Sequence, residues 1–280
     1  MALPADLVLV RHGESEANLV KDEIRAGNVQ AYTDAFAKAN NWQTRLTDKG
    51  RAQAKAVGEY IRAEIGAAFD ARFFSYFVRT RETAGLLGVD GPNWQRSPYL
   101  HERDWGVIDS PAPEKFEESD YKRQMAERKS NPLFWRPPNG ERVIDVAMRF
   151  DRVLQTIHRD VNDGRIPERG RAILVTHGEV IDAARVPLEK MDEVKFFEWI
   201  NAGKTENKSH NGQVIHYTRR LDPDNPDSEL ARKVMFRRSV CPWDRSLSSD
   251  AWVRIEHPTY TDEELLEGAE RYPSLIKAGE

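Results

Sequence analysis

The chain contains very little cysteine and no long hydrophobic run. Cys241 is the single cysteine among 280 residues, so no disulfide can form within the chain and an oxidising compartment is not implied. Apolar runs such as Leu7–Val10 and Ala172–Val175 are far too short to cross a bilayer. The first residues also lack the basic segment and long apolar segment of a secretory signal. We therefore expect a soluble, cytoplasmic protein that does not bind a membrane.

The sequence also lacks an excess of charge of either sign. Lys and Arg number 42 and Asp and Glu number 46, which gives a net charge of −4 at neutral pH. This balance provides no general attraction to nucleic acid, so nucleic acid is not expected as a partner, although a local basic pocket is compatible with it. The 39% of hydrophobic residues is enough for the core of one elaborated α/β domain.

Short apolar runs alternate with helical patterns along the chain. Residues 7–10, 171–176 and 72–76 are predicted to be strands, and 213–217 is a weaker candidate. Apolar residues at helical spacing predict two helices between these strands. The first, with Thr47 as its cap, carries Ala54, Val57, Ile61 and Ile65; the second carries Val143, Val146, Ala147, Phe150, Val153, Leu154 and Ile157. This alternation predicts an α/β fold around a mostly parallel sheet.

Three stretches look like additions to that core. Residues 19–45 are polar and alanine-rich, and 107–140 are rich in proline and charge, so either could fold over the strand ends as a cap. The breaker run Asp222–Asp227 opens a C-terminal extension, and Thr261–Glu264 is a capping box that predicts a short helix. We expect a main domain over 1–220 and an extension over 221–280 that packs on it.

Two of the predicted strands end in the same pair of residues. The first leads through Arg11 to His12 and Gly13, and the other leads to His177 and Gly178. Reactive groups collect beyond the carboxyl ends of strands in open α/β sheets, and neighbouring parallel strands would bring the two histidines together. Glycine would allow the tight turn that follows each strand. A lone histidine is usually a packed or surface residue, but two in one context predict a functional site.

Five blocks in order along the chain resemble a known family. They are Leu9-Val-Arg-His-Gly-Glu-Ser15 with Asn18, Leu46-Thr-Asp-Lys-Gly50 with Gln53-Ala54, Ser75 through Arg79 to Thr83-Ala84, Leu100-His-Glu-Arg-Asp-Trp-Gly106, and Val175-Thr-His-Gly178. Together they resemble branch 1 of the histidine phosphatase (phosphoglycerate mutase-like) superfamily. The block Leu133-Phe-Trp-Arg-Pro-Pro-Asn-Gly-Glu141 is similar to that of its broad-range acid phosphatases. The resemblance implies a three-layer α/β/α sandwich, with the catalytic domain over 1–220 and a cap formed by the insertions.

The resemblance also implies a role for each matching residue. His12 would be the nucleophile that forms a phosphohistidine, and Glu102 the general acid that protonates the leaving oxygen. The phosphate pocket would consist of Arg11, Asn18, Arg79, His177 and Gly178. Planar guanidinium groups suit bidentate phosphate binding, and together with a histidine they would neutralise the dianion without a metal or other cofactor. The expected partner is a small phosphorylated substrate.

Several alternatives stay open at this point. Asp104 competes with Glu102 as the acid, and only the Leu100-x-Glu spacing favours Glu102. The chain could be a phosphoglycerate mutase, although Glu179-Val-Ile-Asp182 departs from the mutase pattern; Glu82 and Arg142 are further departures from the family. A non-catalytic phosphate-binding scaffold is a third interpretation.

Homodimer formation is compatible with the sequence. The histidines at 101, 158, 210, 216 and 257 have no comparable context and are interpreted as structural.

Overall fold

The computed structural model describes residues 3–109, 119–203, 209–232, 234–256 and 259–276. Part of the predicted cap, 110–118, and His257 therefore lie outside the described residues. None of the helices in the described ranges is long and apolar enough to cross a membrane.

Seven strands form one mixed sheet in the order β3-β2-β4-β1-β5-β6-β7. They are β1 (Asp6–Arg11), β2 (Ala71–Ser75), β3 (Gln95–Ser97), β4 (Arg171–Thr176), β5 (Val214–Thr218), β6 (Val234–Val240) and β7 (Ser249–Glu256). The first four strands in this order are paired in parallel, and β5, β6 and β7 add antiparallel pairs at the β1 edge. The predicted α/β class with a mostly parallel central sheet is confirmed.

Helices precede, connect and follow these strands. They are α1 (Glu16–Arg25), α2 (Asp34–Lys38), α3 (Asp48–Glu64), α4 (Val78–Leu86), α5 (Ser119–Ser130), α6 (Val143–Asn162), α7 (Gly178–Glu189), α8 (Glu193–Asn201) and α9 (Asp262–Glu270). The two helices predicted from apolar spacing are α3 and α6, and Thr47 caps α3 by accepting a hydrogen bond from the Gly50 amide. The capping box at Thr261 begins α9 as predicted.

The sheet is the middle of three layers. Leu7 and Leu9 of β1 contact a core that includes the buried faces of α6 and α7. Val8 and Val10 point to the other side of the sheet, where they join buried residues of α3 and α4. Because side chains alternate across a strand, one short apolar run covers both faces, which is why it contains no polar residue. The three-layer sandwich is thus confirmed.

The predicted additions lie around this sandwich. α1 and α2 come from the stretch 19–45, extended by the first residues of α1, and α5 comes from 107–140. β6 and β7 come from the predicted extension, and they continue the sheet of the main domain through β5. The division at residue 220 and the cap stay predictions. The sequence analysis did not predict β3, β6 or β7.

Candidate active site

The two strand-ending histidines meet at the carboxyl edge of the sheet. β1 and β4 are adjacent and parallel, with Arg11 opposite Thr176, so that His12 and His177 leave the sheet side by side. Their ring centroids lie 5.1 Å apart, and both side chains are almost completely buried. The close approach predicted from the sequence is therefore present in the structure.

Gly13 allows the turn after β1 to approach α3. A Cβ at this position would lie 2.2 Å from the carbonyl oxygen of Gly50, in the first turn of α3. A Cβ at Gly50 would in turn lie 1.9 Å from the carbonyl oxygen of Glu14. Glycine at both positions permits backbone contact that any side chain would prevent. This contact holds the first and second sequence blocks together.

Hydrogen bonds fix the tautomer of His12. Its Nδ1 lies 2.7 Å from the carbonyl oxygen of Gly13, which can only accept, so Nδ1 carries the proton. The Arg79 Nε–H donates to Nε2 over 3.1 Å, so Nε2 presents its lone pair. Burial, reinforced by the positive charges of Arg79 and Arg11, holds the pKa of His12 well below its usual value. The imidazole is therefore neutral, with its lone pair on Nε2.

A hydrogen bond to the neighbouring strand β2 positions the His177 ring. Its Nε2 lies 2.9 Å from the Ser75 hydroxyl, and the edge of Phe77 packs against its ring. Its Nδ1 is buried and has no hydrogen-bond partner among the described residues. Burial, with the nearby cationic groups, lowers the pKa of His177 well below its usual value. Nδ1 of His177 therefore lies beside His12 without a hydrogen bond to any described residue.

Arg79 projects from the first turn of α4 and is buried. Besides its bond to His12, its Nη1 donates to the carbonyl oxygen of Asn41 over 2.7 Å and to the Thr44 hydroxyl over 3.1 Å. Desolvation lowers the pKa of Arg79 to about 10, so the guanidinium stays charged at neutral pH. Arg11 contributes a second guanidinium, which donates to the carbonyl oxygen of Ser209. The Arg11 Nε is buried without a partner in the described part of the chain.

Glu102 lies opposite the histidines. Its Oε2 is 3.9 Å from Nδ1 of His177, and its Oε1 accepts a hydrogen bond of 2.9 Å from the Arg103 amide. Burial raises the pKa of Glu102, against the opposing effect of Arg79. Asp104 is instead exposed, and its carboxylate accepts from the Gly106 amide. Of the two competing acids, Glu102 is the one that the structure places beside the histidines.

Asn18 and Gly178 lie at the same edge of the sheet. Asn18 Oδ1 accepts hydrogen bonds from Ser15 and from Nδ2 of Asn211, which also donates to the carbonyl oxygen of His12. A Cβ at Gly178 would lie 3.3 Å from the Arg11 Nε. The structure thus brings together all seven residues singled out from the sequence. Their individual roles stay predictions.

A metal ion is geometrically conceivable at this site. One ligand atom each from His12, Glu102 and His177 lie within 4.8 Å of one another. However, Nε2 of His12 already accepts from the Arg79 guanidinium, and Arg11 adds a second fixed positive charge nearby. Two guanidinium groups disfavour a cation and favour an oxyanion. The donor set therefore fits a phosphate better than a metal.

Sequence reasoning missed the residues that hold this pocket from outside the motif blocks. Asn41 and Thr44 orient Arg79, while Ser209 and Asn211 contact Arg11 and His12. Asn41, Thr44 and Ser209 lie in polar stretches without a hydrophobic period, so no local signal distinguished them. Asn211 and Gly212 form a turn, but a turn signal does not predict what the asparagine side chain contacts. Asp182 was noted only as a departure from the mutase pattern. Burial raises its pKa to about 7, and its carboxylate accepts from the Ser209 hydroxyl.

The chain belongs to branch 1 of the histidine phosphatase superfamily, whose family model matches residues 7–216. The chain is 29% identical over 197 residues to a 2,3-bisphosphoglycerate-dependent phosphoglycerate mutase of Bradyrhizobium diazoefficiens, covering 66% of this chain and 81% of the relative. It is 30% identical over 212 residues to a phosphoglycerate mutase-like protein of Arabidopsis thaliana, covering 70% and 67%. The family places the chain among enzymes that act on phosphate esters.

Solved structures share the fold. A mycobacterial glucosyl-3-phosphoglycerate phosphatase with bound vanadate superimposes with a TM-score of 0.58 at 20% identity, covering 76% of this chain and 92% of the other. A phosphoserine phosphatase of Entamoeba histolytica in complex with 3-phosphoglyceric acid gives a TM-score of 0.53 at 19% identity, covering 76% and 90%. At these identities the similarity establishes the fold alone.

Proposed function

We propose that this protein is a phosphomonoester hydrolase that acts through a phosphohistidine on His12, without a metal. The observation that carries the proposal is the state of His12. Its proton is held on Nδ1 by a carbonyl group, and its Nε2 lone pair points to a guanidinium in a buried site. A neutral, oriented imidazole next to fixed positive charge is the arrangement that attack on a phosphate dianion requires.

The residues suit two successive displacements. In the first, Nε2 of His12 attacks phosphorus, the bond to the leaving oxygen breaks, and the Glu102 carboxyl gives its proton to that oxygen. In the second, the Glu102 carboxylate takes a proton from water, the water oxygen attacks phosphorus, and the phosphorus–nitrogen bond breaks. This releases inorganic phosphate and restores both side chains. Arg11 and Arg79 neutralise the phosphoryl oxygens throughout.

The remaining pocket residues would bind the same group. The uncommitted Nδ1 of His177 lies where it can interact with a phosphoryl oxygen, and the Asn18 amide, whose oxygen accepts three hydrogen bonds, keeps Nδ2 as its donor. The backbone of Gly178 begins α7, and a helix N-terminus favours an anion. We take the substrate to be a small phosphorylated molecule in the cytoplasm.

Mutase activity is the second candidate, because one of the relatives described above is named a phosphoglycerate mutase and the other a phosphoglycerate mutase-like protein. A mutase would return the phosphoryl group to a second hydroxyl group instead of water. The two activities are distinguished by incubating the protein with 3-phosphoglycerate and a bisphosphoglycerate primer. Interconversion of 2- and 3-phosphoglycerate would support a mutase, and net release of inorganic phosphate from phosphomonoesters would support the hydrolase.

The phosphohistidine can be tested by trapping. After reaction with a 32P-labelled phosphomonoester and a rapid alkaline quench, we expect an alkali-stable, acid-labile phosphoenzyme in the wild-type protein and none in His12→Ala. His158→Ala, in α6 and away from the pocket, is the matched control and should retain the label. Unchanged phosphate release by His12→Ala would show that the assignment of the nucleophile is wrong.

A further inference from the structure

A second polar pocket lies at the opposite edge of the sheet from the histidines. It has a volume of about 390 Å³, and its lining includes Asp6, Arg171, His216, Arg220 and Arg238. Asp6 and Arg171 are the first residues of β1 and β4 and face each other in the sheet. Arg11 lies five residues beyond Asp6 on β1, and a strand rises about 3.3 Å per residue, so the two sites are roughly 17 Å apart.

The pocket concentrates buried polar atoms that have no partner. Nδ1 of His216, Nη1 of Arg220, and Nε of both Arg171 and Arg238 have no hydrogen-bond partner among the described residues. His216 and Arg220 are only 6% and 5% exposed. The proton of His216 lies on Nε2, which faces the Asp6 carboxylate, and burial lowers the pKa of this histidine, so Nδ1 carries a lone pair and the three guanidinium nitrogens are the donors without an acceptor. An unpaired buried donor costs about 1–3 kcal/mol, and more when it is charged, so three such atoms around one pocket indicate that a ligand supplies the missing acceptors.

The charges of the pocket point to an anion. Three guanidinium groups line it, and Asp6 is the only buried carboxylate among the lining residues. The Asp6 carboxylate already has two partners. Its Oδ1 lies 3.0 Å from Nε2 of His216, and its Oδ2 accepts a hydrogen bond from Arg220 over 2.9 Å. The Arg171 Nε lies 3.7 Å from the same carboxylate.

Two further carboxylates do not change this balance. Glu64 and Asp224 also line the pocket, but both are exposed, and the Asp224 carboxylate accepts from the Trp252 indole. Trp252 also stacks against Arg238, whose guanidinium carbon lies 4.5 Å from the centroid of the indole ring. This stacking holds the Arg238 fork in place beside the pocket.

We propose that this pocket binds a phosphate-sized oxyanion at the amino ends of β1 and β4, separately from the active site. Three guanidinium groups surround it, and guanidinium forks match the spacing of phosphoryl or sulfuryl oxygens. The ligand supplies acceptors to the buried guanidinium nitrogens and offsets the charge that Asp6 does not. Free phosphate and the phosphoryl group of a larger molecule share this chemistry.

The stacked indole allows a site-specific test. The protein is labelled with 5-fluorotryptophan, and the 19F resonance of Trp252 is identified by its loss in Trp252→Phe. At constant ionic strength, inorganic phosphate should shift this resonance saturably, and sulfate should do the same. In Arg238→Gln the apparent Kd should rise at least tenfold.

Methylphosphonate, a non-hydrolysable stand-in for a phosphomonoester, distinguishes the two possible ligands. Tighter binding than phosphate identifies a larger phosphorylated ligand, and weaker binding identifies the free ion.

The control is Arg245→Gln, an exposed arginine between β6 and β7 that pairs with Asp250 and does not line the pocket. It should bind like the wild type. Inhibition of hydrolysis by phosphate should be the same in Arg238→Gln as in the wild type, since it reports the active site alone. Arg171→Gln is a second variant if Arg238→Gln does not fold. The proposal would be overturned if phosphate did not shift the Trp252 resonance. It would also be overturned if phosphate shifted this resonance in both pocket variants as it does in the wild type.

Discussion

At the scale of single residues, burial shifts the pKa values of the proposed acid and of the two histidines in opposite directions. Burial lowers the pKa of His12 and of His177, and the same burial raises the pKa of Glu102. A low dielectric disfavours whichever form is charged, so it favours the neutral imidazole and widens the pH range over which the Glu102 carboxyl keeps its proton. The first displacement of the proposed mechanism needs a neutral nucleophile and a protonated acid together.

Glu102→Gln should reveal the acid in the pH profile. Hydrolysis of an alkyl phosphate requires protonated Glu102, so kcat/KM of the wild type should fall as the pH rises through its raised pKa. The glutamine amide does not titrate, so Glu102→Gln should not show this fall of kcat/KM at high pH, the alkaline limb of the profile. Its rate should be about 10²–10⁴-fold lower than that of the wild type. With an aryl phosphate, whose leaving oxygen needs less protonation, Glu102→Gln should lose much less rate. The measurement is kcat/KM against pH for both substrates.

Asp104→Asn is the matched control for this experiment. Its carboxylate is exposed and bonded to the Gly106 amide, so the variant should keep both the rate and the alkaline limb. The assignment would be contradicted if Asp104→Asn lost the limb and Glu102→Gln kept it.

At the scale of elements, the segment between β6 and β7 contacts the loop that leads to the candidate site. Trp243, between β6 and β7, donates its indole N–H to the carbonyl oxygen of Asn211 over 2.6 Å. The Asn211 amide donates in turn to His12 and Asn18. The family match ends at residue 216, so this contact comes from a part of the chain that the match does not cover. Trp243 therefore connects this part of the chain to the candidate site.

Trp243→Phe should weaken catalysis without unfolding the protein. Phenylalanine keeps an aromatic ring but removes the donor to Asn211, and one hydrogen bond contributes about 1 kcal/mol, so we expect kcat/KM to fall about fivefold. Trp94→Phe, a change at an indole that contacts Phe74 and Arg72 instead, should leave kcat/KM unaltered. Steady-state kinetics and Tm are measured for both variants. Equal kcat/KM in the two would refute the link to the site.

At the scale of the whole molecule, one packed core fixes the sheet that carries both histidines. Phe150 of α6 is completely buried in the core cluster that includes Leu7 and Leu9 of β1 and Leu174 of β4. This packing aligns the two strands that end at His12 and His177. The position of the site therefore depends on side chains far from it.

Phe150→Ala should lower the free energy of unfolding by about 3–5 kcal/mol, because it removes a fully buried aromatic ring and leaves a cavity. Met148→Ala lies on the same helix but is 64% exposed, so it should change stability by less than about 0.5 kcal/mol. Both values follow from urea-induced unfolding. A similar loss in the two variants would mean that burial is not the cause.

The elements that could be predicted are those with a strong local signal. β1 and β4 are uninterrupted apolar runs, and α6 has a clear helical stripe, so their patterns were readable without a partner. β3 has only three residues, Gln95–Ser97, and β6 contains two consecutive arginines, so neither shows an apolar strand pattern. Their strand structure depends on pairing with a neighbour that the local sequence does not encode.

The sequence by itself determined the α/β class, the family and the residues that gather at the phosphate pocket, because each motif is a short stretch with its own chemistry. Only the tertiary structure decided which nitrogen of His12 carries the proton, which acid lies beside His177, and where Asn211 and Trp243 make contact. It also brought Asp6, His216 and Arg220 together at the opposite edge. These features arise from residues distant in the chain, whose hydrogen bonds and burial exist only once the sheet has formed.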